Sequence, residues 1–64
     1  MSFEGEYLNG FRYGIGKMYK NNHTLIFEGQ FVNEIKNGTG REFDDSGNII
    51  FEGEFVNDDR RIKK

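Results

Sequence analysis

The chain repeats itself with a period of 24 residues, and that repeat limits what it can fold into. Phe3-Glu4-Gly5-Glu6-Tyr7-Leu8-Asn9 returns as Phe27-Glu28-Gly29-Gln30-Phe31-Val32-Asn33 and again as Phe51-Glu52-Gly53-Glu54-Phe55-Val56-Asn57. The register continues without a gap through Gly14-Ile15-Gly16-Lys17 over Gly38-Thr39-Gly40-Arg41, Tyr19 over Phe43, and Leu25-Ile26 over Ile49-Ile50. A unit this short is one supersecondary element that cannot bury a face alone, so neighbouring units must cover it. The 64 residues form a single repeat domain, with repeat one at 3–26, repeat two at 27–50 and a partial third at 51–64.

The period inside each unit is two. Phe27, Gly29 and Phe31 alternate with Glu28, Gln30 and Val32, which is the spacing of a strand with two different faces. Alanine, the best helix former, is absent, while Phe and Gly are abundant. Each opening segment is therefore expected to be a strand, beginning at Leu25 or Ile49 in the later units. It should end at Asn9-Gly10 in unit one and in the Asn33 to Asn37-Gly38 stretch in unit two, where Asn and Gly accept the positive φ of hairpin turns. A second strand should follow at about 14–20 and 38–44, with Gly38 and Gly40 sharing one face. The expected fold is all-β, a series of consecutive antiparallel β-hairpins forming a single-layer twisted meander. Glycine inside a strand is costly unless something large lies over it. The rings of Phe3, Tyr7, Phe27, Phe31, Phe51 and Phe55 are expected to supply that cover as a ladder on one face. Bulges or turns are the alternative role for the glycines.

Composition narrows the rest. There is no cysteine and a single histidine, His23, so disulfides and thiolate or imidazole-rich metal sites are excluded. A chain of this size is marginal alone, which leaves association with a partner or another copy, or origin in a longer array. No apolar run approaches a membrane span, and Met1-Ser2-Phe3-Glu4 lacks the basic and apolar regions of a secretory signal. An intracellular, cytoplasmic location is expected.

The pattern aromatic-Glu-Gly-(Glu/Gln)-aromatic, then Asn, then Gly-x-Gly, then a polar turn resembles the MORN repeat (membrane occupation and recognition nexus). The resemblance covers 3–57, in the variant with an aliphatic pair before the aromatic, as in Asn48-Ile49-Ile50-Phe51-Glu52-Gly53-Glu54-Phe55. It implies a groove-like sheet of hairpins that serves as a scaffold, dimerisation or target-binding module, in some members near membranes. This chain departs from the pattern by having Tyr7, Phe31 or Phe55 where tryptophan is common. Ile62 and Lys64 also replace the glycines of the third unit, so the array is expected to stop or be capped there.

Catalysis finds little support. Glu4/Glu6 and Glu52/Glu54 are carboxylate pairs on one strand face, but the middle copy carries Gln30, as a solvated face would. The Asp44-Asp45-Ser46-Gly47-Asn48 stretch fails as an EF-hand, because its sixth and twelfth positions are Ile49 and Phe55. No cofactor is expected. All eleven acids fall within 1–59 against five bases, and Arg60, Arg61, Lys63 and Lys64 follow. The acidic body disfavours nucleic acid. The basic tail allows weak contact with an anionic membrane. A single-layer sheet leaves a face and two edges uncovered. The expected function is a non-catalytic interaction or scaffold module that binds a protein partner or itself, as a homodimer, through Phe3, Tyr7, Phe27, Phe31, Phe51 and Phe55. The alternatives are membrane recruitment and a capping fragment of a larger protein.

Overall fold

The computed structural model describes residues 2–21 and 23–61. Six strands follow one another: β1 (Ser2–Leu8), β2 (Phe11–Tyr19), β3 (Leu25–Val32), β4 (Ile35–Phe43), β5 (Ile49–Val56) and β6 (Asp59–Arg60). Each pairs antiparallel with the next in a single open sheet of order β1-β2-β3-β4-β5-β6. The expected hairpin meander is therefore the fold, and β3 and β5 begin at Leu25 and Ile49 as their aliphatic pairs predict. Among the described residues no helix is long and apolar enough to cross a membrane.

The turns after β1, β3 and β5 have only two residues each. Asn9 and Gly10 have φ of 53° and 85°, Asn33 and Glu34 have 48° and 82°, and Asn57 and Asp58 have 51° and 74°. Two positive φ angles in succession define the type I′ turn, whose twist matches that of the strands it joins. This corrects the expectation that a longer stretch around Asn37-Gly38 connects the strands of unit two. Asn37 and Gly38 lie inside β4, and β2 and β4 begin earlier than expected, at Phe11 and Ile35.

A straight row of glycines crosses the sheet. Gly5 pairs with Gly16, Gly16 with Gly29, Gly29 with Gly40, and Gly40 with Gly53. The first ring of each unit lies along this row. A Cβ added to Gly29 would stand 2.8 Å from Cζ of Phe27 and 2.6 Å from Cα of Gly40, and one added to Gly40 would stand 2.7 Å from the Phe27 ring. Phe3 covers Gly5 and Gly16 in the same way. The absent side chains thus create the slot that each ring fills.

The other glycine of each Gly-x-Gly has a different role. The β1–β2 register jumps between Gly5 and Glu6, from Gly16 to Tyr13 on β2, and the β3–β4 register jumps between Gly29 and Phe31. Gly14 and Gly38 sit in these bulges at φ 75° and 115°. A Cβ there would strike the carboxylate of Glu6 or the amide oxygen of Gln30, on the face opposite the rings. The Gln30 Oε1 atom also accepts a 2.7 Å hydrogen bond from the Thr39 amide released by the bulge. Gly38 and Gly40 therefore do not share a face. The bulge turns the first away from the rings and leaves the second beneath them.

Candidate interaction surface

The rings assemble in the order Tyr7, Phe3, Phe31, Phe27, Phe55, Phe51. Within a unit the two rings meet edge to face at 5.4–5.5 Å between centroids. Between units the second ring packs on the first ring of the preceding unit, with Phe31 on Phe3 at 5.1 Å and Phe55 on Phe27 at 5.0 Å. Every pair lies near perpendicular, the arrangement that brings a positive ring edge to a negative ring face.

A cation roofs each first ring. Arg12 lies 4.9 Å above Phe3, Lys36 lies 4.5 Å above Phe27, and Arg60 lies 5.0 Å above Phe51. These three occupy one column of the repeat, nine residues after the ring. The stem and charge of each long side chain cover apolar surface that a single-layer sheet would otherwise expose. Glu42 occupies the column of Met18 and pairs with both Lys36 and Arg60.

This packing redistributes the six rings expected to form an accessible stripe. Phe27, Phe31 and Phe55 are only 1–2% exposed and form the core of the chain itself. Phe3 and Phe51 are half-buried against them, and Tyr7 alone is open, at 58%. The expectation of six rings available to a partner is therefore corrected. Ring-on-ring contact and the cation roof close the middle of the ladder and leave its N-terminal end exposed.

Sequence reading missed the apolar residues beside that end. Leu8, Phe11, Tyr13 and Ile15 are all exposed, and they lie on the face opposite the rings of the same hairpin. Their signal was the Leu8↔Phe11 pair flanking the turn, which could be read only once the turn was known to have two residues. On this same face Glu4, Lys17, Glu28, Arg41 and Glu52 stand opposite one another across five strands, alternating in sign. Arg41 bonds Glu52 at 2.7 Å and lies 3.7 Å from Glu28. These exposed pairs add little stability, but they fix the cross-strand register.

Charge elsewhere is largely spent on the chain itself. Arg60 pairs with Glu42, and Arg61 lies 3.6 Å from Glu54. Lys63 and Lys64 lie outside the described residues, as does Ile62. His23 is exposed in the turn before β3. Asp44 accepts hydrogen bonds from the amides of Ser46 and Asn48, both at 2.9 Å, so the loop before β5 is a closed carboxylate cap. These bonds, led by that from Asn48, hold its carboxyl below the ordinary value. Among the described residues no group of three His, Cys, Asp or Glu side chains could hold a metal ion.

No family model matches the chain, and no curated protein or solved structure matches it either.

Proposed function

We propose that this chain is a non-catalytic interaction module, built from MORN-like repeats, that binds a protein partner or itself through the exposed end of its ring ladder and its open sheet edges. The observation that carries this reading is the contrast within one repeat column. Phe31 and Phe55 are 2% exposed, whereas Tyr7 is 58% exposed. The same side-chain position is core in the second and third units and surface in the first. On the opposite face of the same hairpin Leu8, Phe11 and Tyr13 are exposed as well, so both faces of this edge strand and its neighbour carry apolar surface. Clustered exposed apolar groups next to unpaired strand backbone are what strand-adding partners use. Both carboxylate pairs have a member with a structural use, since Glu6 fills the space over Gly14 and Glu52 bonds Arg41. Membrane recruitment has less support, because Arg60 and Arg61 are already paired with acids.

The test is the Tyr7→Ala/Phe11→Ala double variant, with mass followed by light scattering across concentration and by capture of partners. Loss of association with the sheet signal retained in circular dichroism is expected. Association equal to wild type would overturn the reading.

A further inference from the structure

The contact between successive units is made twice, by the same chemistry. The second residue of the β3–β4 turn, Glu34, donates its N–H to the Arg12 carbonyl at 3.0 Å and accepts the Arg12 N–H on Oε1 at 3.0 Å. The second residue of the β5–β6 turn, Asp58, does the same with Lys36, at 3.0 Å and 2.7 Å. Each clamp is joined by a ring three residues earlier, Phe31 on Phe3 and Phe55 on Phe27. The incoming hairpin therefore carries aromatic–Val–Asn–acid, and the receiving unit offers a roofed ring together with the backbone of its roofing cation.

The third unit has the receiving half of this contact. Arg60 roofs Phe51 as Arg12 and Lys36 roof Phe3 and Phe27. Arg60 pairs with Phe55 on β5, as Arg12 pairs with Tyr7, so its main-chain N–H and C=O point away from β5, in the plane of the sheet, at the same position. Among the described residues no strand pairs with the far side of β6. The first unit has the incoming half with one change: Tyr7-Leu8-Asn9 is followed by Gly10, so the clamp carboxylate is missing.

We propose that the Arg60–Phe51 edge is a docking site for a β-hairpin of another polypeptide whose turn reads aromatic–aliphatic–Asn–(Asp/Glu), and that Gly10 keeps the chain's own first hairpin out of it. The occupant is identified by continuity with the two internal contacts. It must bring a ring for Phe51 and a carboxylate for the Arg60 N–H, three residues apart on one hairpin. This rests on the reading as an interaction module and names its partner chemistry at the C-terminal edge. The Tyr7 and Phe11 test concerns the opposite end of the chain, whereas the receiving groups here are Phe51 and Arg60, and a hairpin from another polypeptide brings its own ring.

The test uses the chain's own first hairpin as the probe. Gly10→Asp completes the pattern as Tyr7-Leu8-Asn9 followed by an acid. The substitution fits, since Gly10 has φ 85° with nothing within 4 Å of a Cβ, and Glu34 and Asp58 hold φ of 82° and 74° at the same turn position. Light scattering of the full chain across concentration should show head-to-tail association about tenfold or more tighter than wild type, the worth of a charge-assisted hydrogen bond. Adding Arg60→Pro, which removes the receiving N–H, should return the mass to the wild-type curve. A Gly10→Asp curve that overlays wild type, or association that survives Arg60→Pro, would overturn the proposal. Loss of binding in the Tyr7→Ala/Phe11→Ala variant alone would bear on the general reading and not on this edge.

Discussion

Glu34 and Arg12, 22 residues apart, exchange two hydrogen bonds: the Glu34 amide donates to the Arg12 carbonyl, and the Glu34 carboxylate accepts the Arg12 amide. Glu34 also holds φ 82°, a region that side chains other than glycine and asparagine enter at a cost. The two facts belong together. The clamp to the preceding unit offsets the strain of the turn, and Gly10, at the same turn position, takes φ 85° without a side chain to strain it.

Replacing Glu34 therefore has two separable effects. Glu34→Ala keeps the positive φ and loses the charged hydrogen bond, and should destabilise the chain by about 1–2 kcal/mol. Glu34→Gly loses the same bond but relieves the backbone, and should cost clearly less. Urea midpoints measured at constant m-value check the order. A glycine variant no more stable than the alanine variant would separate turn strain from the clamp.

The glycine row predicts a graded response to added methyl groups. Gly29 lies between the Phe27 ring and the Gly40 backbone, with both under 3 Å from an added Cβ. Gly53 has only the Phe51 ring, at 3.2 Å. Gly29→Ala should destabilise by about 1–3 kcal/mol through overpacking. In Gly53→Ala the ring shifts by a few tenths of an ångström, and the cost is smaller. Thermal melts of the two variants side by side give the comparison, and equal losses would mean that the row is not what sets the ring slot.

Much of this architecture was legible because the repeat is short and its period is two. The strands, their starts at Leu25 and Ile49, the Asn9-Gly10 turn and the pairing of rings with glycines all follow from local patterns. The turn at Asn33-Glu34 did not, because glutamate is a poor left-handed residue and the partner that stabilises it lies 22 residues earlier. Asn37-Gly38 carries the stronger local signal and marks a bulge instead. The burial of Phe31 and Phe55 was also hidden. It depends on which unit lies beside each ring and, for Phe55, on Lys36, whose column reads in sequence as an ordinary solvated charge. The candidate surface therefore moved from the whole aromatic stripe to its end at Tyr7.

The same redistribution separates stability from binding. Phe31→Ala removes a ring that is 2% exposed and packed on both Phe3 and Phe27. It should cost about 3–5 kcal/mol, comparable to the whole stability of a chain this short. Tyr7→Ala removes the equivalent ring where it is open, and should cost about 1 kcal/mol or less. Circular dichroism at fixed temperature distinguishes them: Phe31→Ala should lose the sheet signal, and Tyr7→Ala should keep it. A folded Phe31→Ala chain would mean that the ladder is not the core.

Lys36 tests the roof over the rings. Its ammonium lies 4.5 Å from the Phe27 centroid and 5.7 Å from that of Phe55. Lys36→Met keeps an unbranched stem over the rings and removes the charge. The loss expected is about 0.5–2 kcal/mol, the range for a cation on an aromatic face. Because Glu42 faces Lys36 at 3.9 Å, the double variant with Glu42→Gln separates the ion pair from the ring contact. If Lys36→Met is neutral in both backgrounds, apolar cover alone protects the ladder.

Asp44 gives the expected pH dependence. Its carboxyl is held below the ordinary aspartate value by hydrogen bonds, first from the Asn48 amide and then from the Asn48 side chain and the amides of Ser46 and Gly47. A depressed folded-state value means that ionised Asp44 favours the folded loop at every pH above the ordinary aspartate range. That contribution is lost as pH falls through the depressed value. The readout is local, because the group is exposed: amide exchange at Ser46 and Asn48, corrected for intrinsic rate, should accelerate as the carboxylate protonates. The Asp44→Ala chain should show fast exchange at both amides at neutral pH and no further change on acidification. Protection that persists in Asp44→Ala would assign the closure of this loop to its backbone bond from the residue 44 amide to the Asn48 carbonyl instead.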